Sequence, residues 1–105
     1  MISGKIKNLI KAMKQRKKIL VEDVTTGEMR IVKPFVMFSV MEDSKFKVLV
    51  NCYQEIGESK SGHTNGWKNI VITNKTKITI LDETFEVKPD YVISESRFKN
   101  IISHV

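Results

Sequence analysis

Seven cationic side chains crowd the first eighteen residues: Lys5, Lys7, Lys11, Lys14, Arg16, Lys17 and Lys18, with no Asp or Glu among them. That segment carries +7 while residues 19–105 sum to −1, so the formal net charge of +6 sits at one end of the chain. A concentrated basic segment suits a polyanion, whether nucleic acid or membrane surface, because phosphate contacts release counterions. A solvated helix face that keeps a small protein soluble has the same composition. The second group is aromatic. Trp67, the only tryptophan, stands between Gly66 and Lys68, and Tyr53 lies at the other end of the intervening stretch. An aromatic face beside a cation at the rim of a small barrel is how bases are stacked and phosphates held on single strands. A hydrophobic plug under a long loop needs the same residue types. The candidate ligand-binding residues are therefore Lys14, Arg16, Lys17, Lys18, Tyr53, Trp67 and Lys68.

For catalysis the inventory is thin. His63 lies in a Gly/Ser-rich stretch and His104 one residue from the end, so neither is placed like a buried, oriented base. The sequence holds no HExxH, CxxC, GxxxxGK[ST] or GxSxG, which removes the marks of zinc hydrolases, redox proteins, nucleoside triphosphatases and serine hydrolases. Glu22-Asp23, Glu42-Asp43 and Asp82-Glu83 are adjacent pairs at strand ends or turns, and adjacent residues of a strand point to opposite faces. They read as solvated turns. Cys52 and His63 have no third group to orient them as nucleophile and base. No catalytic residue, metal ligand set or cofactor is expected, and the chain reads as a non-enzyme.

The elements that must position these residues come next. At 105 residues the chain fits one domain. No apolar run exceeds four residues, far below the roughly 20 of a membrane-spanning helix, and the N-terminal segment has no continuous apolar core of a secretory signal. The single cysteine forms no internal disulfide. Together these fit the cytoplasm. Ile2, Ile6, Leu9, Ile10 and Met13 share one helical stripe, predicting a basic amphipathic helix over 1–18, with Ser3 as a candidate cap. Docking on a core is favoured over lying on a membrane, because the stripe is aliphatic with no Trp or Phe anchor.

Residues 19–87 read as short strands. ILVEDV and MRIV flank Thr25, Thr26 and Gly27 as a hairpin, and Pro34 calls for an edge, bend or bulge. FVMFSV is apolar on both faces, as in a strand covered on both sides. FKVLVNCY alternates, with Phe46, Val48, Val50 and Cys52 on one face, which makes Cys52 a buried thiol. Residues 54–66 read as a long loop. WKNIVIT and KITIL flank a turn at Asn74–Thr76 as a last hairpin, with Ile70, Ile72, Ile78 and Ile80 in one core. Residues 94–103, with Phe98, Ile101 and Ile102, predict a short C-terminal helix.

The order of these parts resembles the WYL-domain family. The segment IKNLIKAMKQRKKILVEDVTTGEMRIVKP matches its basic helix, first strand, glycine turn, second strand and proline; FKVLVNCY and KITILDETF continue the likeness. The resemblance spans residues 5–87 and implies an Sm-like or SH3-like β-barrel, common in bacterial transcription regulators that sense a nucleotide or nucleic acid. The chain departs from the family at the ligand-gripping positions. The Trp-Tyr-Leu triplet is replaced by Lys47-Val48-Leu49, and residues 70–75 hold no arginine.

The expected fold is thus mainly β (α+β): a small antiparallel SH3/Sm-like β-barrel of five or six strands with a basic N-terminal helix and a short C-terminal helix, all in one domain, 1–105. The expected function is a ligand-sensing or regulatory binding module for a nucleotide or single-stranded nucleic acid. The alternative is a protein-interaction or oligomerisation module that has lost ligand binding and pairs exposed strand edges with a protein partner or a second copy.

Overall fold

The computed structural model describes residues 2–57, 66–87 and 100–105. Among these lie one helix, α1 (Ser3–Lys14), and six strands: β1 (Lys17–Asp23), β2 (Met29–Glu42), β3 (Lys45–Gly57), β4 (Gly66–Ile72), β5 (Thr76–Thr84) and β6 (Ile101–His104). All pairings are antiparallel, in the order β4-β3-β2-β1-β5, with β6 joining β2 off this path. The fold is mainly β with one helix at its start. No helix of the described residues is long and apolar enough to cross a membrane.

Helix α1 is shorter than its charge run. It ends at Lys14, Arg16 takes a left-handed φ of 51°, and Lys17 and Lys18 already belong to β1. The basic run is therefore split between a helix, an elbow and a strand. Ser3 is the first helical residue rather than the cap; Ile2 holds the cap position and makes no side-chain capping bond. The apolar stripe does its expected work, with Leu9, Ala12 and Met13 fully buried.

The turns follow from local chemistry. Asp23 Oδ1 accepts from the Thr25 and Thr26 amides at 2.8 and 3.3 Å, and Gly27 closes the β1–β2 turn at φ 77°. Asp43 and Ser44 both have positive φ, the geometry of a two-residue hairpin whose twist matches its strands.

Strand β2 organises the sheet. Its first half pairs β1 at Met29–Val32, its second half pairs β6 at Val36–Phe38, and Pro34 sits where the partner changes. A residue without an N–H belongs at such a gap. Opposite β3, Pro34 pairs Cys52 but Val36 pairs Asn51, leaving Phe35 as the extra residue of a bulge. Phe35 and Val36 consequently join the same hydrophobic cluster despite being neighbours in sequence. A second bulge between Val32 and Ile31 leaves Glu55 as the extra residue on β3.

Two cores result, one on each face. Beneath α1, Leu9, Ala12 and Met13 pack with Ile19, Val21, Val32, Met37, Val48, Val50, Cys52 and Ile72. On the other face, Phe35, Val36, Phe38 and Phe85 are buried, with Leu49, Tyr53 and Ile101 packed against them.

Five expectations are corrected. Closure into a barrel is not found among the described residues, because β4 pairs β3 and β5 pairs β1, at opposite ends of the path. For the same reason β4 and β5 do not form a hairpin ladder, although Ile70, Ile72, Ile78 and Ile80 do share the core beneath α1. Strand structure extends through residues 54–57 and resumes at Gly66, so only 58–65 of the expected loop remain, and those lie outside the described residues with His63. Of the expected helix over 94–103, residues 94–99 also lie outside them, whereas 101–103 are strand, held by β2. Phe46, placed by alternation with the core, is 62% exposed because it stands beside the β2–β3 turn beyond the core's end.

Candidate ligand-binding face

Cross-strand register brings two of the sequence candidates together. Tyr53 pairs Trp67 across β3 and β4, and their rings meet edge to face at 5.5 Å between centroids. The bulge at Phe35 sends a third ring into the same group, 5.0 Å from Trp67, and Phe85 follows 5.3 Å from Phe35. Such tilted arrangements are favoured by the ring quadrupoles. Phe35 and Phe85 are buried and Tyr53 half-buried, while Trp67 remains 48% exposed. The four rings form a ledge whose solvent-facing part is the indole.

The ledge has polar and cationic neighbours. Lys33 Nζ lies 5.8 Å from the centre of the Tyr53 ring, within cation–π range, and reaches Glu55 at 2.9 Å. Beside the Tyr53–Trp67 pair on the same face, Asn51 donates from Nδ2 to Asn69 Oδ1 at 2.9 Å, and Asn69 is exposed. The elbow after α1 borders the far end of the ledge, since the Phe85 amide donates to the Arg16 carbonyl at 2.8 Å. Lys14 and Arg16 are exposed, and Lys17 is half-buried opposite Thr84.

Lys18 and Lys68 are placed differently. Lys18 is 7% exposed, and its ammonium donates to Glu55 at 2.9 Å and Glu83 at 2.6 Å. Both carboxylates arrive through irregular register: Glu55 is a bulge residue, and the β1–β5 ladder shifts between Lys17 and Ile19, opposite the stretch that carries Glu83. The hydrogen bond that Lys18 donates to Glu55, then that to Glu83, raises the Lys18 pKa above its ordinary value against the opposing effect of burial. The bonds from Lys18 and Lys33 likewise hold the Glu55 carboxyl below its ordinary range. Lys18 is thereby the centre of an ion network. Lys68 pairs Cys52 and, by strand alternation, leaves the sheet on the face opposite Trp67. Cys52 Sγ donates to the Lys68 carbonyl at 3.6 Å, and burial pushes the thiol up to about 12 despite the charges of Arg30 and Lys68.

Sequence reasoning missed Lys33, Phe35 and Phe85. The signal available for the first two was Pro34: a proline inside a strand pattern marks a bulge, and a bulge can turn two consecutive residues to one face. Phe85 carried no local signal, since its position depends on the elbow carbonyl 69 residues earlier.

Chemically the ledge offers a half-exposed indole, an adjacent amide pair and cations at its margins, residue types that can hold a planar anionic ligand. Among the described residues no three of His, Cys, Asp and Glu converge as a metal site. No protein-family model matches the chain, and neither a curated protein nor a solved structure matches it.

Proposed function

We propose that this protein is a non-enzymatic binding module for a single-stranded nucleic acid or a nucleotide, with a base stacked on Trp67 and phosphates neutralised at the elbow by Lys14, Arg16 and Lys17. The observation that carries the reading is the half-exposed indole held by Tyr53 and Phe35. A ring held by two others loses little freedom when a base lands on it, which is how a stacking platform gains affinity. Lys33, rather than Lys68, is the cation on this face. The element order that resembles the WYL-domain family, a basic helix leading straight into the first strand, a glycine turn, and a second strand interrupted by a proline, fits a ligand-sensing role in regulation.

The test is titration of a short fluorescent oligothymidine by anisotropy at low salt. Trp67→Ala should weaken binding by about 5- to 150-fold, the loss of one stacked base at roughly 1–3 kcal/mol. Undetectable binding of DNA, RNA and nucleotides at low salt sinks the reading.

A second reading rests on β4. Among the described residues this strand pairs only β3, and it presents Trp67 and Val71 to solvent on one face. An edge strand with exposed apolar residues is suited to pairing with a partner strand or a second copy. Light scattering after size exclusion decides it: a concentration-independent monomer that captures no protein partner counts against it.

A further inference from the structure

We infer that a second group of lysines, gathered from α1 and the β4–β5 turn, forms the phosphate track of a single-stranded nucleic acid; this rests on the binding function proposed above. The first two turns of α1 face the β4–β5 turn across a cleft of about 640 Å³. Lys5 and Lys7 line one wall and Lys75 the other, with Asn8 and Asn74 in the lining and no Asp or Glu there; Lys77 stands at the rim, because alternation with the core-facing Ile78 turns its side chain away from α1. None of the four lysines takes part in an ion pair among the described residues. The nearest carboxylate in register is Glu22, cross-strand from Lys77. Four like charges around one concavity raise its potential, and a bound phosphate relieves their mutual repulsion.

The walls are fixed before any ligand arrives. Lys5 Nζ donates to the carbonyls of Thr73 and Asn74 at 3.2 and 2.9 Å, tying the helix to the turn. The Val24 amide donates to the Lys75 carbonyl at 3.0 Å, tying the β1–β2 turn to the same place. Within the turn, the Thr73 amide donates to Thr76 Oγ1 at 3.1 Å and the Lys75 amide to Thr73 Oγ1 at 3.2 Å. Lys7, Lys75 and Lys77 are therefore presented from a braced frame with their ammonium groups uncommitted.

The cleft also continues in a useful direction. Lys7, Lys11 and Lys14 are all exposed at helical spacings of four and three, a stripe about 10 Å long at 1.5 Å per residue. It ends at the elbow, where the Arg16 carbonyl holds Phe85 and so borders the aromatic ledge. A strand lying in the cleft and along this stripe delivers its bases toward Trp67. A bilayer is the less suitable occupant: the only apolar side chains of the lining are Val24 and Ile78, and it holds no aromatic anchor.

The experiment measures log Kobs against log salt for a 20-mer oligothymidine with the full chain, the triple variant Lys7→Gln/Lys75→Gln/Lys77→Gln, its Lys→Arg counterpart and Trp67→Ala. Neutralising three phosphate contacts should lower the slope by about 2, at roughly 0.7 per contact for a single strand, and the arginine version should restore it. Trp67→Ala should weaken binding at unchanged slope. If the unaltered protein binds but the triple variant keeps its slope, the track is wrong and the stacking reading survives. If the triple variant loses slope while Trp67→Ala binds normally, the track stands and the stacking reading falls. No binding by the unaltered protein overturns both, and lysine-dependent binding to phosphatidylserine vesicles without oligonucleotide binding overturns the choice of nucleic acid.

Discussion

Replacing Lys18 by Met should destabilise the protein without touching its salt dependence of binding. The side chain is buried, and its ammonium meets Glu55 at 2.9 Å and Glu83 at 2.6 Å. Removing one member of a fully buried pair costs about 3–5 kcal/mol, because it strands a charge in low dielectric. Two features reduce that figure here. The Glu83 side chain is 68% exposed and rehydrates, and Glu55 keeps Lys33 at 2.9 Å. A loss of about 1–3 kcal/mol is therefore expected, since exposed members of such networks contribute little. Met preserves most of the aliphatic stem, so little of the change comes from packing. For a domain of this size the loss corresponds to a fall in Tm of roughly 4–12 °C. Urea denaturation followed by circular dichroism gives the value, and a double-mutant cycle with Glu55→Gln should recover a coupling of about 0.5–3 kcal/mol. The same variant enters the oligothymidine titration, where its slope should equal that of the unaltered protein. Stability within about 0.5 kcal/mol of the parent, combined with a slope lower by about 0.7, would refute the reasoning and make Lys18 a phosphate contact.

The remaining expectations concern protonation. Glu55 is held below its ordinary pKa, so the network's contribution is complete above the unfolded carboxylate value near 4.3 and is lost as pH falls through the lower folded value. Lys18 is raised, so its share is complete below about 10.4 and is lost as pH climbs through the higher folded value. The difference in stability between the parent and Lys18→Met should thus stay level from about pH 5 to pH 10 and shrink at both extremes, as read from urea midpoints across pH. Cys52, buried and pushed up to about 12, should resist a thiol reagent at pH 8 in the folded protein and react at once in denaturant. Rapid labelling of the folded chain would contradict its placement.

What could be seen in the sequence was periodic. The stripe from Ile6 to Met13 and the alternation of Val48, Val50 and Cys52 each report one face of one element, and those residues lie in or against the core beneath α1. The features that shape the candidate site are matters of pairing instead. Phe35 reaches the ledge only because β2 gains a residue against β3, and Glu55 reaches Lys18 only because β3 gains one against β2. Nothing local distinguishes Lys18 from Lys17, and its two carboxylates lie 37 and 65 residues away. Trp67 and Tyr53 are visible as residue types, whereas the face of the cation beside them depends on alternation along β4, which puts Lys68 opposite Trp67. Lys75 and Lys77 carry no local mark in the sequence; only the fold brings them to the same cleft as Lys5 and Lys7.

The most direct measurement of the central claim uses the fact that Trp67 is the only tryptophan. Its fluorescence reports on the ledge alone, and a base stacked on the indole should quench it. Titration with oligothymidine at low salt should give saturable quenching with the same midpoint as the anisotropy of the labelled strand. Binding detected by anisotropy while the tryptophan emission stays unchanged would contradict the stacking platform.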